Sequence, residues 1–464
     1  MKEAMRRLAL ALLGLLALSG LWLTWVQTRA GADYHDDPRN LRALQPHTDP
    51  ARGRIITADG VVVARDGPDG RQYPEGRAYA HLVGFDAPSG RSGIERTRFA
   101  ATRSRADGSM TSWLLGLLGT DLGPPDIRLT IVDEVQQAAV DALGNRRGAV
   151  VAIDPRTGAV LAYVSSPSFD PNDVVTGDLT PTDESAAAAL LDRVADHVLP
   201  PGSTFKIIVT AAAIRAGLEP DSEVAAGVSY QPPGGGMPIR NAGDGGCGGD
   251  PVSLTQALVV SCNTAFARLA VELGGVRIVA AAEAAGFNGV IPWETGAVRS
   301  SIPAGSALQA DPPALAQSGI GERDVRVTPL LMALIAAAIA NDGVAMAPYV
   351  VDAVVAPDGT VLETTDPDRL HRLVSATVAA QITEMMVEVV ERGTGRPAAV
   401  GGIEVAAKTG TAEGSGGPHA WIIAFGPAAD PTIAVAVVVE GGGSGGSVAG
   451  PIAAAVIRAW LAAR

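Results

Sequence analysis

The sequence predicts an α/β (α+β) fold: an antiparallel sheet flanked by helices, with an added helical subdomain. A small α+β module and one N-terminal transmembrane helix precede it. Three observations carry this prediction. After residue 147, apolar strand-like runs stand at both ends of the chain with Ala- and Leu-rich stretches between them, so the sheet takes its strands from distant parts of the sequence. Ahead of that region lies a loop-rich segment poor in long apolar runs. An uncharged apolar run opens the chain.

The opening run follows Lys2, Arg6 and Arg7 and extends from Leu8 to Val26, with Trp22 and Trp25 at its far end. Its 19 residues span roughly 28 Å as a helix, close to the hydrocarbon thickness of a bilayer. The basic flank stays inside and the aromatics sit at the outer interface. Two readings fit: a retained single-pass anchor, or a signal peptide cleaved near Ala30-Gly31-Ala32. The apolar core is long for a signal peptide, which favours the anchor. In both, the N-terminus is cytoplasmic and the bulk of the chain is extracytoplasmic. The expected division is 1–28 cytoplasmic tip and anchor, 29–146 small module, 147–464 main domain.

The 464 residues carry a net charge of −13 with no dense Lys/Arg block, which argues against a nucleic-acid partner. From Ala32 to about Pro50 the chain reads as a linker. Two β-rich runs then flank Asp59-Gly60, a hairpin signal. Asp126 to Ile131 alternates as a strand does, and Asp133 to Leu143 has helical apolar spacing with Gly144 as C-cap.

The main domain opens with the strands Gly148–Ile153 and Ala159–Val164 around the turn Asp154-Pro155-Arg156-Thr157-Gly158. Helices are expected after Ser203, over Leu254–Leu273 and over Leu330–Asn341. Strands are expected at Ile403–Lys408, Ala420–Phe425 and Thr432–Glu440, and a last helix from about Pro451. The two cysteines, Cys247 and Cys262, are 15 residues apart in a compartment that permits disulfides. They form either a disulfide worth roughly 3 kcal/mol in the chain-entropy model or two unpaired thiols.

Three short motifs carry the chemistry. Pro201-Gly202-Ser203-Thr204-Phe205-Lys206 is an S-x-x-K, Ser261-Cys262-Asn263 an S-x-N, and Lys408-Thr409-Gly410-Thr411 a K-T-G following an apolar strand. Each is common alone; all three in this order make a recognised set. A serine hydroxyl needs an adjacent base, and a helix starting at Ser203 puts Lys206 within reach. Lysine serves as a base only when its pKa is lowered by desolvation or by a neighbouring cation, and Lys408 is the candidate cation. Asn263 can hold a substrate amide and orient Lys206, and Ser261 can relay a proton to the departing amine. Lys408 and Thr409 suit a terminal carboxylate, and Gly410 lets a substrate backbone approach the strand. The N–H groups of Ser203 and Thr411 are candidates for an oxyanion hole. No histidines stand at metal-ligand spacing, so neither a metal nor a cofactor is expected.

On these motifs the chain resembles the class B penicillin-binding proteins, membrane-anchored peptidoglycan D,D-transpeptidases, and is most similar to the elongation-type actinobacterial group. The resemblance also rests on Arg52-Gly53-Arg54-Ile55, Gly93-Ile94-Glu95, Asp154 to Ala162, Gly393-Thr394-Gly395, Ala412-Glu413 and His419-Ala420-Trp421. It implies Ser203 as nucleophile, Lys206 as general base, Ser261 and Asn263 as the second motif, and Lys408, Thr409 and Gly410 as the carboxylate site. It implies a penicillin-binding/serine β-lactamase-like fold, a D-Ala-D-Ala stem-peptide donor, acylation by β-lactams, and cell-wall crosslinking. The chain departs from the pattern at Gly319-Ile320-Gly321-Glu322, where Ser-Ile-Gly-Gln is usual, and in a short first domain.

Two rivals differ in testable ways. A serine β-lactamase needs a water-activating group, and no glutamate motif for that role is evident. A β-lactam sensor or non-catalytic scaffold does not need the full set of nucleophile, base and carboxylate site. The region before Gly148 is too short for a glycosyltransferase domain, so a separate SEDS-type membrane glycosyltransferase is the expected partner. Gly442-Gly443-Ser444-Gly445-Gly446 matches a nucleophile elbow in letters, but no helix start is expected after it. His419 and Trp421 are read as structural.

Overall fold

The computed structural model describes residues 2–25, 52–68, 70–103, 123–179, 186–414 and 416–464. Two compact units divide it, Met1–Pro50 and Ala51–Arg464. In the first, α1 (Lys2–Trp25) is one continuous helix, and its apolar stretch Leu12–Trp25 is exposed throughout. Val26, the expected linker over 32–50 and the Ala30-Gly31-Ala32 site lie outside the described residues.

In the second unit, β1 (Ile55–Ile56) and β2 (Val62–Gly67) form the hairpin expected around Asp59-Gly60, and β3 (Gly70–Gln72) extends it. Beneath it Arg52 bonds Asp86 and Glu95, and Arg71 Nε donates to Glu95 Oε1 at 2.7 Å. Glu95 is fully buried, and a buried carboxylate persists only with such partners. The Arg52 and Glu95 stretches therefore form the polar core of the small module. Strand β4 (Asp126–Leu129) and α2 (Asp133–Leu143), which ends at Gly144, are as expected, and β4 runs parallel to β1.

The hairpin β5 (Gly148–Ile153) and β6 (Val160–Ser166) is also as expected. Its strands are apolar at nearly every position because both faces are covered. Val150 and Ala152 face one core, and Ala149, Val151 and Ile153 the other.

The helical stretch supplies α3 (Lys206–Arg215), α4 (Leu254–Val259), α5 (Asn263–Leu273) and α6 (Pro329–Ala340). Two expectations are corrected. Ser203 does not start an α-helix: Gly202–Phe205 is a 3₁₀ turn and α3 begins at Lys206. Side chains at i and i+3 eclipse in a 3₁₀ turn, so Ser203 and Lys206 still share a face. Leu254–Leu273 is not one helix, because Ser261 has φ 59° and breaks it. That left-handed conformation is costly for serine, and it sets the second motif at the bend between α4 and α5.

The chain then returns to the small sheet. Strand β7 (Val351–Val355) pairs antiparallel with β4, and β8 (Val361–Thr364) pairs with β7, giving the order β8-β7-β4-β1-β2-β3. After α7 (Ala376–Arg392) come β9 (Ala406–Ala412), β10 (His419–Gly426), β11 (Ile433–Val439) and α8 (Gly445–Ala462). The main sheet is β9-β10-β11-β5-β6, antiparallel throughout. The third motif lies inside β9, not after a strand ending at Lys408. Helix α6 covers one face, and α2 and α8 cover the other.

Helix α8 begins before Pro451, within the glycine run, so a helix start does follow Ser444. A Cβ on Gly445 would stand 2.2 Å from the carbonyl oxygens of Gly410 and Trp421, so only glycine lets this helix end approach β9 and β10. The run is thus a packing device with a local reason. Helix α8 is long and apolar enough to cross a membrane, but half of it is buried, packed on β10, β11 and α2. It is a core helix.

Candidate active site

The first motif is fixed by packing. Phe205 is buried edge-on to Phe287, Thr204 Oγ1 donates to the Pro201 carbonyl at 2.8 Å, and the turn lies directly on β9. A Cβ on Gly410 would fall 2.8 Å from Pro201 O and 2.9 Å from Thr204 Cγ2. The glycine of the third motif is therefore required by contact between the two motifs, a reason that the expected approach of a substrate backbone does not supply.

Lys206 enters the core at the start of α3 and is fully buried. Its Nζ donates to Ser261 O at 2.7 Å, to Asn263 Oδ1 at 2.7 Å and to Ser261 Oγ at 3.3 Å. Asn263 is oriented in turn by Nδ2 donating to the Arg240 carbonyl at 3.0 Å. Lys408, also fully buried, comes from β9 and donates to Ser261 Oγ at 2.9 Å and to Thr409 O at 2.7 Å. The three motifs thus meet at one serine hydroxyl, at the bend that its left-handed backbone creates.

Burial dominates the electrostatics. Desolvation, and after it the charge of Lys408, hold Lys206 well below the ordinary lysine range, while Glu322 acts in the opposite direction. Desolvation alone brings Lys408 down to about 7. The sequence reading offered desolvation or the neighbouring cation as causes; both operate, and burial is the larger. An amine so lowered can be neutral at physiological pH and accept a proton.

Thr409 Oγ1 lies 2.6 Å from Thr394 Oγ1. Thr411 is exposed at the end of β9, and its Oγ1 accepts from Gly445 N–H at 3.4 Å. Cys262, between Ser261 and Asn263, is disulfide-bonded to Cys247 with their Cα atoms 5.7 Å apart. Trp421 is fully buried, and His419 Nδ1 accepts from Gly441 N–H at 3.1 Å; both are structural. Of the expected set, Lys206, Ser261, Asn263, Lys408 and Thr409 are therefore linked by hydrogen bonds, and three further groups join them: Thr394, the Arg240 carbonyl and, through its charge, Glu322. Only the first and last carry any sequence signal, Thr394 within a Gly-Thr-Gly and Glu322 where glutamine is usual.

The penicillin-binding protein transpeptidase domain model matches residues 148–458. The peptidoglycan D,D-transpeptidase PbpA of Mycolicibacterium smegmatis is 39% identical over 99% of both chains, and that of Mycobacterium tuberculosis is 36% identical over 99% of both. The structure of penicillin-binding protein A from M. tuberculosis as a ceftriaxone acyl-enzyme superimposes with a TM-score of 0.83 at 36% identity, covering 89% of this chain and 99% of that one. With the three motifs of that family gathered around Ser261, the chain belongs to the penicillin-binding protein transpeptidases.

Proposed function

We propose that Ser203 is the acyl-enzyme nucleophile of a peptidoglycan D,D-transpeptidase, with Lys206 as its general base. The observation that carries this is the convergence of Lys206 and Lys408 on Ser261 Oγ, with Asn263 Oδ1 accepting from Lys206, beside the turn that bears Ser203. Ser203 Oγ attacks the carbonyl of a D-Ala-D-Ala stem peptide and gives its proton to neutral Lys206. The N–H groups of Ser203 and Thr411 receive the oxyanion. The C–N bond breaks, a proton passes through Ser261 to the departing D-Ala amine, and an ester to Ser203 remains. The amine of a second stem peptide attacks that ester, forms the crosslinking amide and releases Ser203. Lys408, Thr409 and Gly410 hold the donor's terminal carboxylate, and Asn263 its amide. β-Lactams occupy the donor site and acylate Ser203; the M. tuberculosis relative, seen as β-lactam acyl-enzymes, supports this.

Helix α1 is the membrane anchor in this reading, with Lys2, Arg6 and Arg7 cytoplasmic and the catalytic domain outside. Residues 29–146 form the small module and 147–464 the transpeptidase domain. A SEDS-type glycosyltransferase supplies the glycan strands and engages the anchor and the small module; co-purification from mild detergent tests that contact.

Intact-mass measurement after exposure to a fluorescent penicillin tests the reaction. A long-lived adduct on the wild-type chain, absent from Ser203→Ala, is expected. Rapid turnover to hydrolysed drug would make the protein a serine β-lactamase, and no adduct at all would leave a non-catalytic scaffold.

A further inference from the structure

One carboxyl group at the nucleophile turn has no role in the reaction just described. The loop Gly319–Glu322 approaches the first motif so closely that Gly202 N–H donates to Gly321 O at 2.9 Å. The next residue, Glu322, reaches across to the other wall: its Oε1 accepts from the backbone N–H of Glu413 at 3.2 Å. Glu413 stands two residues beyond Thr411, where β9 ends. Two consecutive residues of one loop thus bond the turn that carries Ser203 and the strand end that carries the second candidate oxyanion N–H.

Glu322 also acts on the base. Its charge raises the proton affinity of Lys206, which burial and Lys408 lower. Glu322 is held up at about 7 in balance, with burial the largest cause. The Glu413 N–H bond pulls that value down, the Glu413 carboxylate pushes it up, and Arg326 and Lys206 pull it down. The groups facing this pair are therefore Glu413, Arg326, Lys206 and, across Ser261, Lys408.

We infer that Glu322 is a positioning residue for acyl transfer at Ser203: its carboxyl clasps the end of β9 to the nucleophile turn and presents its charge to the site that holds Lys206. The inference rests on Lys206 being the base. Glutamine at this position keeps the accepting oxygen and removes the charge, so the two parts of the role separate in single substitutions.

The test is the second-order rate of acylation by a fluorescent penicillin, measured from pH 5.5 to 9.5 on the full chain in detergent. Glu322→Gln keeps the clasp, so its rate at pH 9 stays within about threefold of wild type. Its acid limb moves to lower pH by roughly half a unit, because losing the anion lowers the proton affinity of Lys206. Glu322→Ala loses the clasp and falls about tenfold or more at every pH. If Glu322→Ala does not fold, Glu413→Pro, which deletes the donated N–H, takes its place. An unshifted acid limb in Glu322→Gln overturns the charge role, and a near-wild-type rate for the clasp-deleting variant overturns the clasp. Lys206→Ala separates the two levels: if it acylates normally, the base assignment fails. If it is inert while Glu322→Gln is unshifted, only the inference about Glu322 fails.

Discussion

Lys408 donates from Nζ to Ser261 Oγ at 2.9 Å across 147 residues of sequence. Lys206 donates to the same oxygen at 3.3 Å. One hydroxyl therefore joins the base to the residue that lowers its proton affinity, and among the described residues it is the only side-chain atom bonded by both amines.

Ser261→Ala removes that shared acceptor but keeps the Ser261 carbonyl, which holds Lys206 at 2.7 Å. Lys206 should stay in place while the proton path to the leaving group is cut. Acylation is expected to slow by roughly 10²-fold or more with little change in melting temperature. A parallel collapse of both would mean that the hydroxyl is mainly structural.

Acylation should rise with pH as neutral Lys206 becomes available, and should already be substantial near neutrality because Lys206 lies well below the ordinary lysine range. Lys408 loses its charge above about 7, so donor carboxylate recognition should weaken on the alkaline side. In a kinetic pH series this appears as KM rising above neutrality while kcat holds. A constant KM from pH 6 to 9 would place the carboxylate elsewhere.

Burying Lys408 also affects stability. Its folded pKa, about 7, lies below the unfolded value of roughly 10.4. The unfolded state therefore binds more protons between these limits, and stability rises with pH across that window. Lys408→Met removes the penalty while filling similar space. Expected are a melting temperature several degrees higher at pH 7, a flatter pH dependence, and loss of acylation. A lower melting temperature for Lys408→Met would show that its hydrogen bonds outweigh its desolvation.

Gly410→Ala forces a methyl group against the Pro201 carbonyl at 2.8 Å, which is backbone and cannot rotate away. Overpacking of this kind costs about 1–3 kcal/mol. Moving the turn also moves Ser203 relative to Thr411. Acylation should fall at least roughly tenfold, together with a lower denaturation midpoint in urea. Unchanged acylation would mean that turn and strand can separate freely.

The main sheet was legible because its strands are apolar almost throughout and stop at clear turns, and the site was legible because its three motifs are contiguous. Other features escaped for physical reasons. The break at Ser261 is a tertiary choice: Leu254–Leu273 has good helical spacing, and no glycine or proline marks the bend. Strand β8 is exposed at every residue, so it lacks the alternation that marks a half-buried strand. Helix α8 hid its start in glycines, which usually end helices but here admit a close approach. The Arg240 contact is made by a main-chain carbonyl, which any residue type would provide.

Strands β7 and β8 complete a sheet that begins at Ile55. Arg128 on β4 bonds Asp352 on β7 at 2.6 Å, 224 residues later, and β4 has β1 on its other side. During synthesis the small module therefore waits for most of the chain to emerge before its central strand gains a second neighbour, and such distant pairing forms slowly. A fragment ending before Val351 would carry β4 as a bare edge, open to pairing with another chain. A shortened gene product that keeps the whole small module is in this sense still an incomplete one, and an aggregation hazard.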